Sequence, residues 1–260
     1  GKVTMTEAGI FNGLDAALMV HPGTEDRVEA DSLACQTLQV VYRGRAAHAV
    51  AHPEKGINAL DPLLALFAGR DALLRRSPSH VKVVGVINEG GLRPNIVPAR
   101  ASGRFSLRAP TRQALATLVE QFSVMSRAVG EAHQCQVEIL KTDGAYHEMV
   151  SNRPLATAYG ANLQSLGVSF VTGPRNNKGS LDMGNVSYQV PSLHPFFALV
   201  PPYLSSHTRE FARATLTAAG RSGLLRSVQA LAMTGLDVLQ DGDLRSAMHE
   251  EHRRLLGSRP

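Results

Sequence analysis

The spacing of apolar residues divides the chain into three stretches. Residues 16–20 form a short apolar run that leads to His21-Pro22-Gly23, which predicts a strand followed by a turn. Residues 37–142 alternate between the two-residue period of strands and the longer period of helices, and the pattern changes again after residue 143. We therefore expect a domain of residues 37–142, inserted into a second domain formed by residues 1–36 and 143–260.

The middle stretch predicts a strand, a helix, two strands, a helix and a final strand. Asp61-Pro62 is expected to open the first helix, and Thr111 to cap the second. This βαββαβ order is that of a ferredoxin-like α+β domain, in which the helices cover one face of an antiparallel sheet. The predicted strands comprise residues 38–43, 81–87, 103–107 and 137–140.

The outer stretches predict a partial α/β domain. The expected elements are a helix at 155–166, strands at 168–171, 186–190 and 196–200, and a long final helix. Apolar residues of that last helix recur on one face, which predicts a buried stripe. The charged tail after residue 243 is expected to be disordered. The predicted stripe comprises Leu224, Val228, Leu231, Ala232, Gly235, Leu236 and Leu239.

Composition narrows the classes of protein. The formal net charge is +5, but the basic residues are dispersed and have few aromatic neighbours, which argues against nucleic-acid binding. No apolar run reaches the length of a membrane span, so we expect no membrane association. Two cysteines, Cys35 and Cys135, are too few for a disulfide scaffold and fit a reducing compartment, so we expect a cytoplasmic protein.

Four histidines lie at the expected ends of elements: His21, His48, His194 and His207. Neutral imidazole is the commonest metal ligand, although each histidine taken singly is more often a structural or surface residue. A catalytic zinc needs at least three protein ligands. The chain has no His-Glu-x-x-His, no Cys-x-x-Cys, and no adjacent acidic pair before Glu250-Glu251. The residues alone thus predict candidate ligands without a closed zinc site.

Five motifs carry a resemblance to a known family. In order, the chain resembles the zinc aminoacylase and amidohydrolase superfamily, peptidase family M-twenty, and within it the branch of β-alanyl-lysine dipeptidase and p-aminobenzoyl-glutamate hydrolase. The motifs are Gly44-Arg-Ala-Ala-His48-Ala, Gly56-Ile-Asn58-Ala-Leu60, Gly90-Gly91-x-x-Pro94-Asn95-Ile-Val-Pro98, Phe105-Ser-Leu-Arg108-Ala-Pro, and Gly179-Ser180-Leu-Asp182-Met-Gly-Asn185-Val-Ser.

The resemblance implies a two-lobed enzyme. A catalytic α/β domain would bind two zinc ions, and the inserted ferredoxin-like domain would dimerise and close over the site as a lid. By matching position, His21 and His207 resemble metal ligands. His48 resembles the lid histidine that donates a hydrogen bond to the tetrahedral oxyanion in the partner subunit's active site.

The same resemblance suggests residues on the substrate side. Asn95 and Arg108 resemble lid residues near the substrate, and the planar guanidinium of Arg108 suits a carboxylate. Ser180 and Asp182 match a loop that usually reads Gly-Ser-Thr-Asp, here with Leu181 in place of the threonine. His194 is assigned to the substrate side as well.

The chain departs from the family pattern at its start. A His-x-Asp or Cys-Gly-His ligand motif and a Glu-Glu pair would precede the segment that Gly1-Lys2 resembles. We therefore expect a chain that lacks the first part of its catalytic domain and is inactive alone. The intact enzyme would hydrolyse an amide bond of a small N-acyl amino acid or dipeptide.

Two other readings remain open at this point. The chain could be a non-catalytic dimerising or binding remnant of the family. It could also be a stand-alone ferredoxin-like regulatory module, although the flanking stretches match the enzyme family too. Candidate metal ligands on both sides of the insertion favour an enzyme lineage.

Overall fold

The computed structural model describes residues 1–77, 80–173, 179–204 and 206–257. The chain forms two compact units. The flanking unit comprises Gly1–Ser32 and Glu148–Pro260, and the inserted unit comprises Leu33–His147. The inserted unit is a few residues wider than the 37–142 range taken from the sequence, because Cys35 near its start pairs with Tyr146 near its end.

The secondary structure is a mixture of helices and strands. The strands are β1 (Ala17–Leu18), β2 (His21–Gly23), β3 (Ala34–Arg43), β4 (Lys82–Glu89), β5 (Arg100–Ala109), β6 (Gln136–Lys141), β7 (Ser192–Leu193) and β8 (Phe196–Ala198). The helices are α1 (Lys2–Glu7), α2 (Leu60–Arg75), α3 (Arg112–Ala132), α4 (Arg153–Ser165), α5 (Met183–Ser187), α6 (Arg209–Ala214), α7 (Ala218–Gln240) and α8 (Gly242–Gly257), and Pro53–Lys55 form a short 3-10 helix.

The inserted unit contains one antiparallel sheet with the strand order β4-β5-β3-β6. Helices α2 and α3 pack on one face, so that the predicted succession of strands and helices is observed. Phe105 of β5 is fully buried between the rings of Phe67 and Phe122, at centroid distances of 4.9 and 5.0 Å. Alternation along β5 leaves Arg104 and Arg108 on the face away from these helices.

Helix starts in the inserted unit follow local hydrogen bonding. The hydroxyl of Thr111 accepts from the backbone N–H of Ala114 at 3.2 Å, which confirms the predicted cap of α3. The start predicted for α2 is wrong by a short distance. The amide oxygen of Asn58 accepts from the N–H of Leu60 at 3.0 Å, and its amide nitrogen donates to Asp61 at 2.7 Å. Asn58 therefore supplies the start signal.

The flanking unit contains two pairs of parallel strands, β1 with β7 and β2 with β8. Helices α4, α7 and α8 pack together beside them. Among the described residues, none of the helices is long and apolar enough to cross a membrane.

Three predictions for the flanking unit are corrected. The segment 186–190 is not a strand, because Val186 belongs to α5, and the four-residue spacing to Val190 fits a helical face as well as an apolar strand. The segment 168–171 forms no strand in the described part of the chain, and only Val171 pairs, with Arg27. The tail after residue 243 is ordered as α8, because Met248 and His252 are buried one helical turn apart.

Candidate functional site

His21 is the first residue of β2, where it pairs with Phe196, and does not follow a strand as the sequence suggested. Its Nδ1 atom lies 2.7 Å from the carbonyl oxygen of Pro22. A carbonyl can only accept, so Nδ1 carries the proton and the lone pair is on Nε2. Metal-binding histidines usually donate their second ring N–H in this way. His21 is thus arranged as a ligand through Nε2.

His194 lies against His21 and is the most buried of the candidate residues. It is 2% exposed, and its ring stacks on that of His21 at a centroid distance of 5.8 Å. Within the described ranges neither ring nitrogen has a hydrogen-bond partner. Burial, reinforced by the neighbouring His21 and Lys2, lowers the pKa of His194 to about 4. An unpaired buried polar group costs about 1–3 kcal/mol, which a ligand hydrogen bond at this ring would offset.

Asp182 precedes α5 and is paired with the start of the chain. The ammonium of Lys2 lies 2.8 Å from one carboxylate oxygen of Asp182, and the backbone N–H of Lys2 donates to the other at 3.2 Å. Burial alone would raise the pKa of Asp182, but these contacts with Lys2 outweigh it and lower that pKa. The negative charge of Asp182 in turn acts on His194. Ser180 has a buried hydroxyl without a partner in the described part of the chain.

His207 lies just before α6, in the left-handed region with φ 65°, and its side chain is exposed. Thr208 caps that helix through the N–H of Phe211. Across residues 1–77, 80–173, 179–204 and 206–257, no three His, Cys, Asp or Glu side chains are grouped closely enough to hold a metal ion. These residues therefore do not fit a complete zinc centre, which needs at least three protein ligands.

In the inserted unit, an extended ladder beyond β3 brings His48 beside Asn95. The backbone N–H of Gly44 donates to Ala99 at 2.8 Å, and that of Ala49 donates to Asn95 at 3.0 Å. The pairing of residues 44–49 with 95–99 therefore continues the contact between β3 and β5 past the end of the sheet. Two of the five sequence motifs meet at this point.

The ring of His48 is exposed and held in one tautomer. Its Nδ1 atom accepts from the backbone N–H groups of Val50 and Ala51, at 3.3 and 3.1 Å. The proton of the neutral ring is therefore on Nε2, which is left as a donor. The loop offers a positioned N–H group.

The glycine that begins this loop is required by a close approach of backbone. A Cβ atom on Gly44 would overlap the carbonyl oxygen of Ile57. That carbonyl accepts from the N–H of Arg45 at 2.9 Å, and the N–H of Ile57 donates back to Arg45 at 2.9 Å. Gly44 thus allows the loop to fold against the segment that leads into α2.

Arg108 lies at the opposite end of β5, paired with Cys35 of β3 and Lys82 of β4. Its guanidinium Nε lies 3.5 Å from the hydroxyl of Ser106. The strand from Arg100 to Arg108 spans roughly 26 Å at 3.3 Å per residue, and Asn95 lies beyond Arg100. One copy of the inserted unit therefore presents His48 and Asn95 far from Arg108.

Sequence reasoning did not identify Lys2 or the pair formed by Glu148 and Tyr188. The hydroxyl of Tyr188 donates to the buried carboxylate of Glu148 at 2.6 Å. No local pattern could have found the ion pair of Lys2 with Asp182, because 180 positions separate the two residues.

Comparison with known proteins gives three findings. Residues 36–133 match the family model of the peptidase dimerisation domain. Xaa-Arg dipeptidase of Mus musculus is 34% identical over 259 residues, covering 97% of this chain and 59% of that protein. A p-aminobenzoyl-glutamate hydrolase polypeptide of Escherichia coli (strain K12) is 23% identical over 320 residues, covering 100% of this chain and 66% of that protein.

Among solved structures, the fold is similar to that of the aminobenzoyl-glutamate utilization protein from Klebsiella pneumoniae. The TM-score is 0.70 at 20% identity, with 92% of this chain and 58% of that chain covered. The chain thus spans about three fifths of the length of the mouse relative.

Proposed function

Because this chain belongs to the M-twenty peptidase superfamily, we propose that it is part of a metal-dependent amidohydrolase that cleaves a dipeptide or a small N-acyl amino acid. The observation that carries the proposal is the arrangement of His48. Amide hydrolysis passes through a tetrahedral oxyanion, and a fixed N–H donor that stabilises this charge contributes about 10²–10³ in turnover. His48 offers such a donor through Nε2, because two backbone N–H groups occupy Nδ1.

We assign the inserted unit as a ferredoxin-like lid that dimerises. The strand order β4-β5-β3-β6 and the two helices on one face support this assignment. In a homodimer, His48 and Asn95 would act in the partner's active site. Arg108, at the other end of β5, would serve a different site and hold a substrate carboxylate through its planar guanidinium.

We assign the flanking unit as the partial catalytic domain. His21 and His207 are proposed as ligands of a zinc centre, and Ser180, Asp182 and His194 as residues on the substrate side. The tautomer of His21 and the unpaired ring of His194 support this assignment. The neutral His194 ring can donate from one nitrogen and accept at the other, which suits an amide substrate that carries both groups.

The first prediction is that the 260-residue chain alone binds zinc weakly and does not hydrolyse dipeptides, because its described residues group fewer than three metal ligands. We expect no release of arginine from an aminoacyl-arginine dipeptide and no cleavage of p-aminobenzoyl-glutamate in a colorimetric assay with added zinc. Zinc titration by calorimetry should give no tight site. Hydrolysis by the purified chain that a chelator abolishes would contradict this prediction.

A second candidate function is that of a non-catalytic dimerising protein. The lack of a three-ligand group among the described residues favours it. The ligand-like tautomer of His21 is not needed by such a protein. Substitution of His21 by glutamine therefore discriminates between the two, because only a metal-binding lineage predicts a loss of the residual zinc affinity.

The second prediction is that the inserted unit self-associates through the free edge of β4. This edge strand exposes Val84, Val86 and Ile87, and charged residues on an edge prevent pairing with another sheet. The double variant V84K/V86K should shift the chain from dimer to monomer in multi-angle light scattering. The matched variant L140K, on the edge strand β6, should leave the dimer intact. A wild-type chain that stays monomeric at high concentration would contradict the prediction.

A further inference from the structure

Helix α7 carries its apolar residues on two different faces. The face that packs into the flanking unit is made of small residues together with Val238. Their spacing of three and four positions marks one side of a helix. The buried residues are Gly220, Gly223, Ser227, Ala230, Thr234 and Val238.

The larger apolar residues of α7 lie on the adjacent face and are not covered. We call this face the α7 stripe: it is the set that the sequence pattern predicted to be buried, namely Leu224, Val228, Leu231, Ala232, Gly235, Leu236 and Leu239. Leu224, Val228 and Leu236 are about half exposed, and Leu239 is 77% exposed. The predicted burial is therefore wrong for this chain. A continuous apolar face of this length marks an interaction surface.

A groove lies beside the C-terminal half of the α7 stripe. Its volume is about 700 Å³, and Leu14 and Leu18 line it opposite Leu236 and Leu239. Leu18 belongs to β1, so the groove runs along a strand as well as a helix. The apolar surface thus extends from α7 to the edge of a sheet.

The strands next to this groove are paired on one side. In the described part of the chain, β1 pairs only with β7, and β2 pairs only with β8. Both pairs are parallel. Parallel sheets are normally built from several strands, covered by helices on both faces, and connected through helices. A free parallel edge beside an uncovered apolar helix fits a further segment that supplies both a strand and a helix.

We propose that the α7 stripe and the free edge of β1 and β2 bind an α/β polypeptide segment, the counterpart of the part of Xaa-Arg dipeptidase that this chain does not match. About two fifths of the mouse relative lies outside the match, which is ample length for strands and covering helices. The segment would add a parallel strand to β1 or β2 and lay an amphipathic helix into the groove.

This inference does not rest on hydrolysis, because it is tested by binding. The chain is co-expressed with the unmatched segment of mouse Xaa-Arg dipeptidase, which carries an affinity tag, and the dissociation constant is then measured by biolayer interferometry. The wild-type chain should bind, and L236E/L239E should weaken binding more than about tenfold, because two apolar side chains would no longer be buried. The control L92E changes a leucine that is 98% exposed in the inserted unit and should bind as the wild type does.

Three results would overturn the proposal. The segment fails to bind the wild-type chain, or L236E/L239E binds it as tightly as L92E, or L236E/L239E turns a dimer of the chain alone into a monomer, which would make a second copy the occupant. Circular dichroism melting checks that the double variant is folded. The single variant L225E, on the same side of α7, replaces it if it is not.

Discussion

Replacement of Gly44 by alanine is expected to destabilise the inserted unit by about 2–3 kcal/mol, the upper part of the range for overpacking. The new Cβ atom would meet the backbone carbonyl of Ile57, which cannot rotate away as a side chain could. Relief requires that the paired segments at Arg45 and Ile57 separate. Since His48 follows on the same segment, the variant should also displace the N–H donor. Urea denaturation and limited proteolysis of residues 44–60 measure both effects.

Gly69→Ala is the matched control for this variant. Gly69 lies inside α2, and its Cβ would meet the sulfur of Met125 at 3.0 Å, an atom of a flexible side chain that can move. Alanine also raises helix propensity by about 1 kcal/mol. The control should therefore be neutral or stabilising, and loop proteolysis should not change. Equal stabilities of the Gly44 and Gly69 variants would show that the close approach at Gly44 is not as described.

Acidification of the metal-free chain should reduce the stability of the flanking unit through His194. The pKa of this ring is about 4 in the folded chain, against 6.5 for an unperturbed histidine. Above pH 6.5 the ring is neutral in both states and the folded chain keeps its full stability. Between pH 6.5 and 4 the unfolded chain binds a proton that the folded chain excludes, so the free energy of unfolding falls by up to about 3 kcal/mol. Below pH 4 this contribution is lost and does not change further.

The variant His194→Leu isolates this effect. It removes the titrating ring, so the difference in unfolding free energy between wild type and variant should change between pH 6.5 and 4 and be constant above pH 6.5. His52→Leu, at an exposed ring, should follow the wild-type profile. The measurement is urea denaturation in the presence of a chelator. Parallel wild-type and His194→Leu profiles would contradict a neutral, buried His194.

Much of the inserted unit could be predicted from the sequence, because its periodic patterns are long and unambiguous. The start of α2 could not, since Asn58 and Asp61 are both capping residues and only the hydrogen bonds choose between them. In the flanking unit, Val186 and Val190 fit a helix and a strand equally well. Helix α8 has few apolar residues, and the burial of Met248 and His252 depends on tertiary packing.

The candidate site was partly accessible from sequence for a similar reason. Motifs identified His48 and Asn95, and pairing between the two segments places them together. The tautomers of His21 and His48 depend on hydrogen bonds that no motif encodes. The stacking of His21 on His194 arises from the parallel pairing of β2 with β8, which joins segments more than 170 positions apart.

The length of β5 has a consequence for how this region can change. Asn95 and Arg108 are 13 positions apart, and the intervening chain is held in register with β3 along almost all of its course. The insertion or deletion of a single residue between them would turn Arg108 to the helix-covered face, because side chains alternate along a strand. Substitutions on the open face at Arg104 or Ser106 leave the register unchanged. Variation in this strand is therefore confined to exchanges of residue type, while gaps and insertions are confined to the connections at its ends.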